Sequence, residues 1–293
     1  MSAGRVPTVA GLVAALLAWA PAVVAQDEPA SPDESAKLRA AQIAAEFSDP
    51  LTTLPQIFLN DAFVPASFGT EARTNTLTMR AIVPRVPSSA LLPFVQLIRP
   101  TLSVVTVPTG NGAETRTELG DMQLFDIGVI PWPGRESGLL MGVGPVFVFP
   151  TATHPSAGSN AWQVGPAFAV IYKGLERFVV GALVQNPISF AYTEPGTRPI
   201  NTLLVQPILL YYLGRGFYLK SGDATFVHGW KDGQPTLLPV SLGLGYVLLR
   251  DGWPPTNLFV SGEWMAWRDD APVAPEWTVN FGITMAFPQW RPW

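Results

Sequence analysis

The two histidines, His154 and His228, are the first residues to weigh for chemistry, because an imidazole is the ordinary general base or metal ligand near neutral pH. Each falls in or beside a stretch of turn-forming residues, and no serine, histidine and acid set shares one alternating face as a lipase-type barrel enzyme would need. The chain has no cysteine, which excludes disulfides and thiolate chemistry. Gly142-x-Gly144 and Gly243-x-Gly245 are not followed by a helix, so they are not phosphate-cradling loops and read instead as relief of crowding. Asp269-Asp270 could hold a divalent cation, as outer-leaflet lipopolysaccharide does, or form a solvated turn. A net charge of -4 with no block of Lys or Arg recommends no nucleic-acid partner. These residues supply no catalytic set, no metal site and no cofactor motif, and the expectation is a protein that is not an enzyme.

The chemistry that remains depends on how the chain alternates. In Thr236 to Leu248, Leu238, Val240, Leu242, Leu244, Tyr246 and Leu248 share one face, against Pro239, Ser241, Gly243, Gly245 and Val247 on the other. A soluble sandwich would bury the apolar face and put charge opposite; small and polar residues opposite a broad apolar face suit a barrel with lipid outside and a polar lumen. Trp162 to Lys173 and Trp277 to Phe287 repeat the pattern, and Trp162, Tyr172, Tyr246 and Trp277 fall at the ends of apolar faces, where an interfacial aromatic girdle belongs. With the apolar face outward, the inward set includes Thr78, Arg80, Arg99, Thr101, Asp126, Gln163, Gln206, Lys220, Ser241, Glu263, Asn280 and Thr284. Arg or Lys on the lipid face at the midplane costs roughly 2 to 4 kcal/mol, so Arg80, Arg99, Asp126, Gln163, Gln206, Lys220 and Glu263 are the candidate lumen residues. They either pair with one another and fill the barrel, or line a conduit and set its charge preference.

The rest of the chain must supply the frame. Its 293 residues are 48% hydrophobic and only 14% charged, yet no segment beyond the N-terminus approaches the roughly 18 apolar residues of a spanning helix. Residues 1–25 read as a secretory signal: Arg5 gives the positive start, Val9 to Ala20 the apolar core, and Val23-Val24-Ala25 the small-residue cleavage site. Residues 26–54 form an N-terminal segment with one helix, Ser31 to Phe47, opened by the capping box Ser31-Pro32-Asp33-Glu34 and striped by Ala36, Ala40, Ile43 and Phe47. That helix is either a periplasmic extension or a plug in the barrel mouth.

Residues 55–293 alternate throughout. Strands are expected near Gln56 to Val64, Thr76 to Val83, Leu92 to Val105, Met122 to Pro131, Leu139 to Phe149, Trp162 to Lys173, Phe178 to Phe190, Thr202 to Tyr212, Phe217 to Thr225, Thr236 to Leu249, Asn257 to Trp267 and Trp277 to Phe287. About twelve strands is an even number, as bacterial single-chain barrels have. Tight links such as Gly174 to Arg177 interleave with longer ones such as Ala66 to Asn75, Pro108 to Gly120 and Arg268 to Pro275, the order expected of periplasmic turns and external loops. Pro207 and Pro239 fall inside strands, where each removes a ladder donor, and the pattern offers no account of how the breaks are satisfied.

Several phrases carry a resemblance. Gly142-Val143-Gly144-Pro145 with Pro150-Thr151-Ala152-Thr153, then Trp162-Gln163-Val164-Gly165-Pro166, Gln206-Pro207-Ile208-Leu209-Leu210-Tyr211, Gly216-Phe217-Tyr218-Leu219 and Pro239-Val240-Ser241-Leu242-Gly243 resemble a family of Gram-negative outer-membrane proteins labelled neuromedin U-like or transporter. That family is similar to the barrel proteins of the MetA pathway of phenol degradation, and Asp49-Pro50-Leu51 before Leu54-Pro55 continues the match. The resemblance implies a barrel in the outer membrane of a Gram-negative bacterium, in contact with lipid and lipopolysaccharide, inserted by the barrel-assembly machinery and moving an undetermined small cargo, with a lean toward hydrophobic or aromatic compounds. The final-strand signal for assembly is assigned to Phe281 to Phe287, which leaves residues 288–293 without a role. The expectation is an all-β, up-and-down transmembrane barrel acting as a channel or transporter of small molecules, against a structural or surface-adhesion barrel with no conduit and a lipid-modifying barrel enzyme using His154 or His228.

Overall fold

The structure, a computed structural model, describes residues 42–85, 95–109, 114–130 and 138–289. The signal expected at 1–25, the first part of the helix expected at 31–47 and the last four residues of the tail lie outside the described residues. Within them the chain forms a short helix α1 (residues 42–48) and fifteen strands. The strands are β1 (Gln56–Phe68), β2 (Thr74–Arg85), β3 (Gln96–Thr109), β4 (Glu114–Leu119), β5 (Met122–Val129), β6 (Leu139–Phe149), β7 (Ala161–Tyr172), β8 (Phe178–Gln185), β9 (Ile188–Tyr192), β10 (Thr202–Gly214), β11 (Phe217–Lys220), β12 (Phe226–Gly229), β13 (Thr236–Leu248), β14 (Thr256–Asp269) and β15 (Ala274–Ala286). β4 with β5, β8 with β9 and β11 with β12 are each one interrupted strand, so the sheet has twelve staves. All neighbours are antiparallel, and β15 returns to pair β1 from Gln56↔Ala286 to Phe68↔Ala274, which closes the barrel. Closure leaves no free sheet edge, the requirement for backbone surrounded by lipid.

The two faces separate as alternation dictates. Leu238, Val240, Leu242, Leu244 and Leu248 of β13 are exposed on the outside, Leu242 by 66%, while Gly243, Gly245 and Val247 are buried within. The exposed apolar residues run around the wall through Leu59, Leu77, Leu102, Val143, Phe168, Leu209, Val260 and Phe281. An apolar belt this large on a lone chain has no reason to face water, and its area fits acyl chains. Trp162 and Trp277 lie outward near the distal end of the barrel, away from α1, with Trp264 and Trp267; Tyr172 and Tyr246 lie on outward strand positions at the proximal end, beside α1, where Phe217 packs on Tyr246 at 4.6 Å.

The expected alternation of long and short connections is corrected. At the distal end β1–β2 and β14–β15 are joined by residues 69–73 and 270–273 only, because the flanking strands run on as hairpins past the apolar belt. The stretch expected as a loop over Pro108 to Gly120 contains β4, whose Glu-Thr-Arg-Thr-Glu is polar on both faces and therefore carries no period-two hydrophobic signal. It is a strand because it pairs with β3, from Val104↔Leu119 to Thr109↔Glu114.

The prolines explain two of the irregularities. Pro207 of β10 has no N–H to give to the stave formed by β11 and β12, and there that stave leaves the ladder: Ser221 to Thr225 bow away between β11 and β12. Ser221 bridges the gap, its Oγ accepting from Leu209 N at 3.2 Å and donating to Pro207 O at 3.0 Å. At Pro239 the register with β14 slips by one residue between Leu238 and Pro239, a bulge on the β14 side.

The interior has two halves. On the proximal side Ala167, Ala169, Ile171, Val179, Leu183, Ile208 and Leu210 form an apolar wall against which Ala44, Ala45 and Leu51 are buried. A uniformly polar lumen is thus corrected: the apolar stripe of α1 requires an apolar surface to cover it. The facing wall is polar, with Asn60, Arg99, Asn257, Ser261, Asn280 and Thr284 buried in it.

Candidate functional site

The polar wall is built from aligned strand positions. Phe58 of β1, Arg80 of β2 and Thr101 of β3 stand on one rung, and Arg99 pairs with Phe125 of β5 one step closer to α1. Each cation lies over a ring: Arg80 over Phe58 at 4.8 Å, Arg99 over Phe125 at 4.1 Å, and Lys220 over Phe259 at 3.8 Å. Phe58 and Phe259 stack at 5.9 Å. Ring faces offset part of the cost of taking these charges from water and hold the side chains in fixed poses. Gly282 is required beneath Phe259, and Gly245 beneath Tyr218, since a Cβ at either position would enter the ring. Tyr218 in turn donates to Asn257 Oδ1 at 2.7 Å.

The bowed segment of the broken stave carries Asp223 into this cluster. Gln206 Nε2 donates to its Oδ1 at 3.0 Å, and Lys220 Nζ stands 3.8 Å from its Oδ2. The cavity between them is about 70 Å³, and Phe47 to Pro50 close its proximal side. Three cations therefore meet Asp223, and the Nε groups of Arg80 and Arg99 are buried without a hydrogen-bond partner.

Of the residues singled out in the sequence, Arg80, Arg99, Gln206 and Lys220 meet here. Glu263 is on the inner face, in register with Ser241 and Thr278. Gln163 is buried elsewhere, donating to Ser159 Oγ at 2.9 Å within a network in which Ser159 N–H and Oγ each reach Asp121 at 2.6 Å. Asp126 is a correction. Phe125 and Ile127 on either side of it are buried in the barrel, so Asp126 points out, near the proximal rim, and accepts from Gln96 Nε2 at 2.5 Å. A strand with apolar residues on both faces gave alternation no way to choose between them. Asp223 escaped because Ser221-Gly222-Asp223 reads as a turn; turn residues inside an expected strand, opposite Pro207 on the neighbouring stave, were the available signal.

The second cluster fastens α1 and the turn after it to the barrel. Lys173, just beyond β7 and outside the spanning strands, reaches Glu46 Oε1 at 2.6 Å and Asp49 Oδ2 at 2.5 Å. Asp49 Oδ1 accepts from Leu51 N at 2.7 Å, and Thr52 Oγ1 donates to Glu46 Oε2 at 2.5 Å. Burial pushes the Asp49 carboxyl above its ordinary value despite the ammonium beside it. Burial also works against the Lys173 ammonium, but Asp49 and Glu46 outweigh it and hold its pKa above the usual lysine value.

His154 caps the 3₁₀ turn Pro155–Ala157, its Nδ1 2.9 Å from Ser156 Oγ, and His228 Nδ1 lies 3.0 Å from Thr236 Oγ1. Both are in local structural bonds at the distal end. Asp269 accepts from Asp270 N in a tight turn, and no cluster of three metal-ligating side chains occurs among the described residues.

No family model matches the chain, and no curated protein matches it in sequence. Solved structures do match in shape. The COG4313 outer membrane channel from Pseudomonas putida F1 superposes with a TM-score of 0.56 at 11% identity, over 82% of this chain and 98% of that one. The KdgM porin gives 0.44 at 9% identity, over 79% and 99%, and the toluene transporter TodX of Pseudomonas putida 0.40 at 10%, over 84% and 93%. The likeness shows the fold, a closed antiparallel β-barrel of the outer-membrane type.

Proposed function

We propose that the protein is an outer-membrane channel of a Gram-negative bacterium that passes small solutes and is shut in this structure by residues 42–54. What carries the reading is the pairing of an apolar belt outside with a charged cavity inside, closed on its proximal side by the chain's own Phe47 to Pro50. Barrels of eight strands are filled by side chains and those of sixteen to eighteen hold open water channels, so at twelve the contents of the lumen decide conduction. Insertion by the barrel-assembly machinery through the final strand, and lipopolysaccharide around the distal rim, belong to the same reading, as does the absence of enzymatic chemistry. Planar-bilayer conductance of the refolded protein with and without residues 26–50 tests it. Silence in the intact chain that becomes discrete conductance on deletion supports a shut channel, and silence in both removes the conduit. Alanine at His154 and His228 leaves transport unchanged.

A second reading, a carrier of hydrophobic or aromatic compounds, is favoured by the apolar proximal wall and by the resemblance to the phenol-pathway barrels. It is separated from the first by uptake of a neutral phenol into liposomes in the absence of ionic conductance.

A further inference from the structure

We infer that the Arg80, Arg99 and Lys220 cluster is a binding site for the carboxylate of a small organic acid. The inference deepens the channel reading by naming the class of solute, and rests on it only for how that solute arrives.

The charge count is the first ground. Arg80, Arg99 and Lys220 face the same cavity as Asp223, while Asp49, the other carboxylate on that wall, is bonded to Lys173. A buried cluster with an excess of positive charge is costly unless an anion completes it. The acid that does reach the cluster, Asp223, is carried there by a bowed segment and held by Gln206 at 3.0 Å, so the site already accommodates one carboxylate in this chemistry.

Unused donors are the second ground. Arg80 Nε and Arg99 Nε, both on residues that line the cavity, are buried without partners. Guanidinium Nε groups present planar N–H donors suited to a carboxylate's two oxygens.

Size and rigidity are the third. A cavity of about 70 Å³ has room for a carboxylate group, and the rings beneath all three cations fix the donors before the ligand arrives.

Calorimetric titration of the whole refolded protein in zwitterionic detergent, at constant ionic strength, compares acetate and benzoate with acetamide and benzamide. The acids should bind at least about tenfold more tightly than their amides, and Arg99→Gln should weaken the acids by about ten- to hundredfold, the loss expected for one charged hydrogen bond. Asp223→Asn, which removes no cation, should strengthen them, and provides the readout if Arg99→Gln does not fold. Equal binding of acids and amides overturns the site, as does acid affinity that Asp223→Asn leaves unchanged or lowers. Conductance recorded on the same preparation separates the two readings. Conductance without acid binding rejects the site and keeps the channel; acid binding with silence in both the intact and the 26–50-deleted protein keeps the site and rejects the channel.

Discussion

Replacing Lys173 by Met removes the charge that joins the N-terminal segment to the barrel while keeping the length of the side chain. In the native structure the ammonium, 19% exposed, is shared between Glu46 and an Asp49 side chain with no exposed surface. Without it Asp49 has three responses. It can stay charged and unpaired at about 3–5 kcal/mol, the usual penalty for breaking a buried pair. It can take up a proton, which from an ordinary carboxyl value costs at most about 4.4 kcal/mol at pH 7, and less here because burial has already raised it. Or the segment can leave, giving up the burial of Leu51, roughly 1.5–3 kcal/mol, with smaller contributions from Ala44 and Ala45. The cheapest response sets the effect, so the shut state should weaken by about 2–4 kcal/mol, a rise of about 30- to 1000-fold in the ratio of open to shut. Single-channel recording reads that ratio directly. Asp49→Asn added to Lys173→Met removes the stranded charge and should recover much of the closure. Lys231→Met, on an exposed distal loop, should do nothing. A Lys173→Met barrel that is folded, shown by heat-modifiable migration, yet opens no more often than the native protein refutes the latch.

The pH dependence of closure follows from the same residues. Lys173 has its pKa raised above 10.5, so its stabilisation is complete below that value and is lost as pH rises through the higher folded one; conductance should appear in strong alkali and be independent of alkaline pH in Lys173→Met. Asp49 is raised as well, so protonating it relieves burial, and in mild acid the native protein should stay non-conducting in the same recordings. Leu242→Arg, at the most exposed point of the outer face of β13, should destabilise the folded barrel by roughly 2–4 kcal/mol in urea titrations in lipid, whereas Ser241→Thr on the inner face should cost far less. Gly245→Ala drives a Cβ into the Tyr218 ring and should lower stability by roughly 1–3 kcal/mol in the same titrations; recovery on combining it with Tyr218→Leu identifies the clash. Ser221→Ala strands Leu209 N–H beside Pro207 and should cost about 1–3 kcal/mol, with no effect in a Pro207-independent position such as Ser67→Ala.

What could be read from the chain and what could not divide along a physical line. Period-two alternation is written into each strand separately, because lipid and lumen act on one residue at a time; the barrel class, the twelve staves, the outward leucines of β13, the aromatic positions Trp162, Tyr172, Tyr246 and Trp277, and the inward Arg80 and Arg99 were legible for that reason. Where both faces have the same character the signal vanishes: β4 is polar on both and reads as loop, and around Asp126 both faces are apolar, so alternation alone puts it on the wrong side. The meeting of Arg80, Arg99 and Lys220 depends on register between strands far apart in the chain, which no single strand encodes. The bow at Ser221 to Thr225 that brings Asp223 to them exists because Pro207, on the adjacent stave, cannot donate a hydrogen bond there. The helix stripe of Ile43 and Phe47 announced that α1 would bury an apolar face, but not where. Only the tertiary structure, by setting an apolar wall and Lys173 opposite it, decided that its place is inside the barrel.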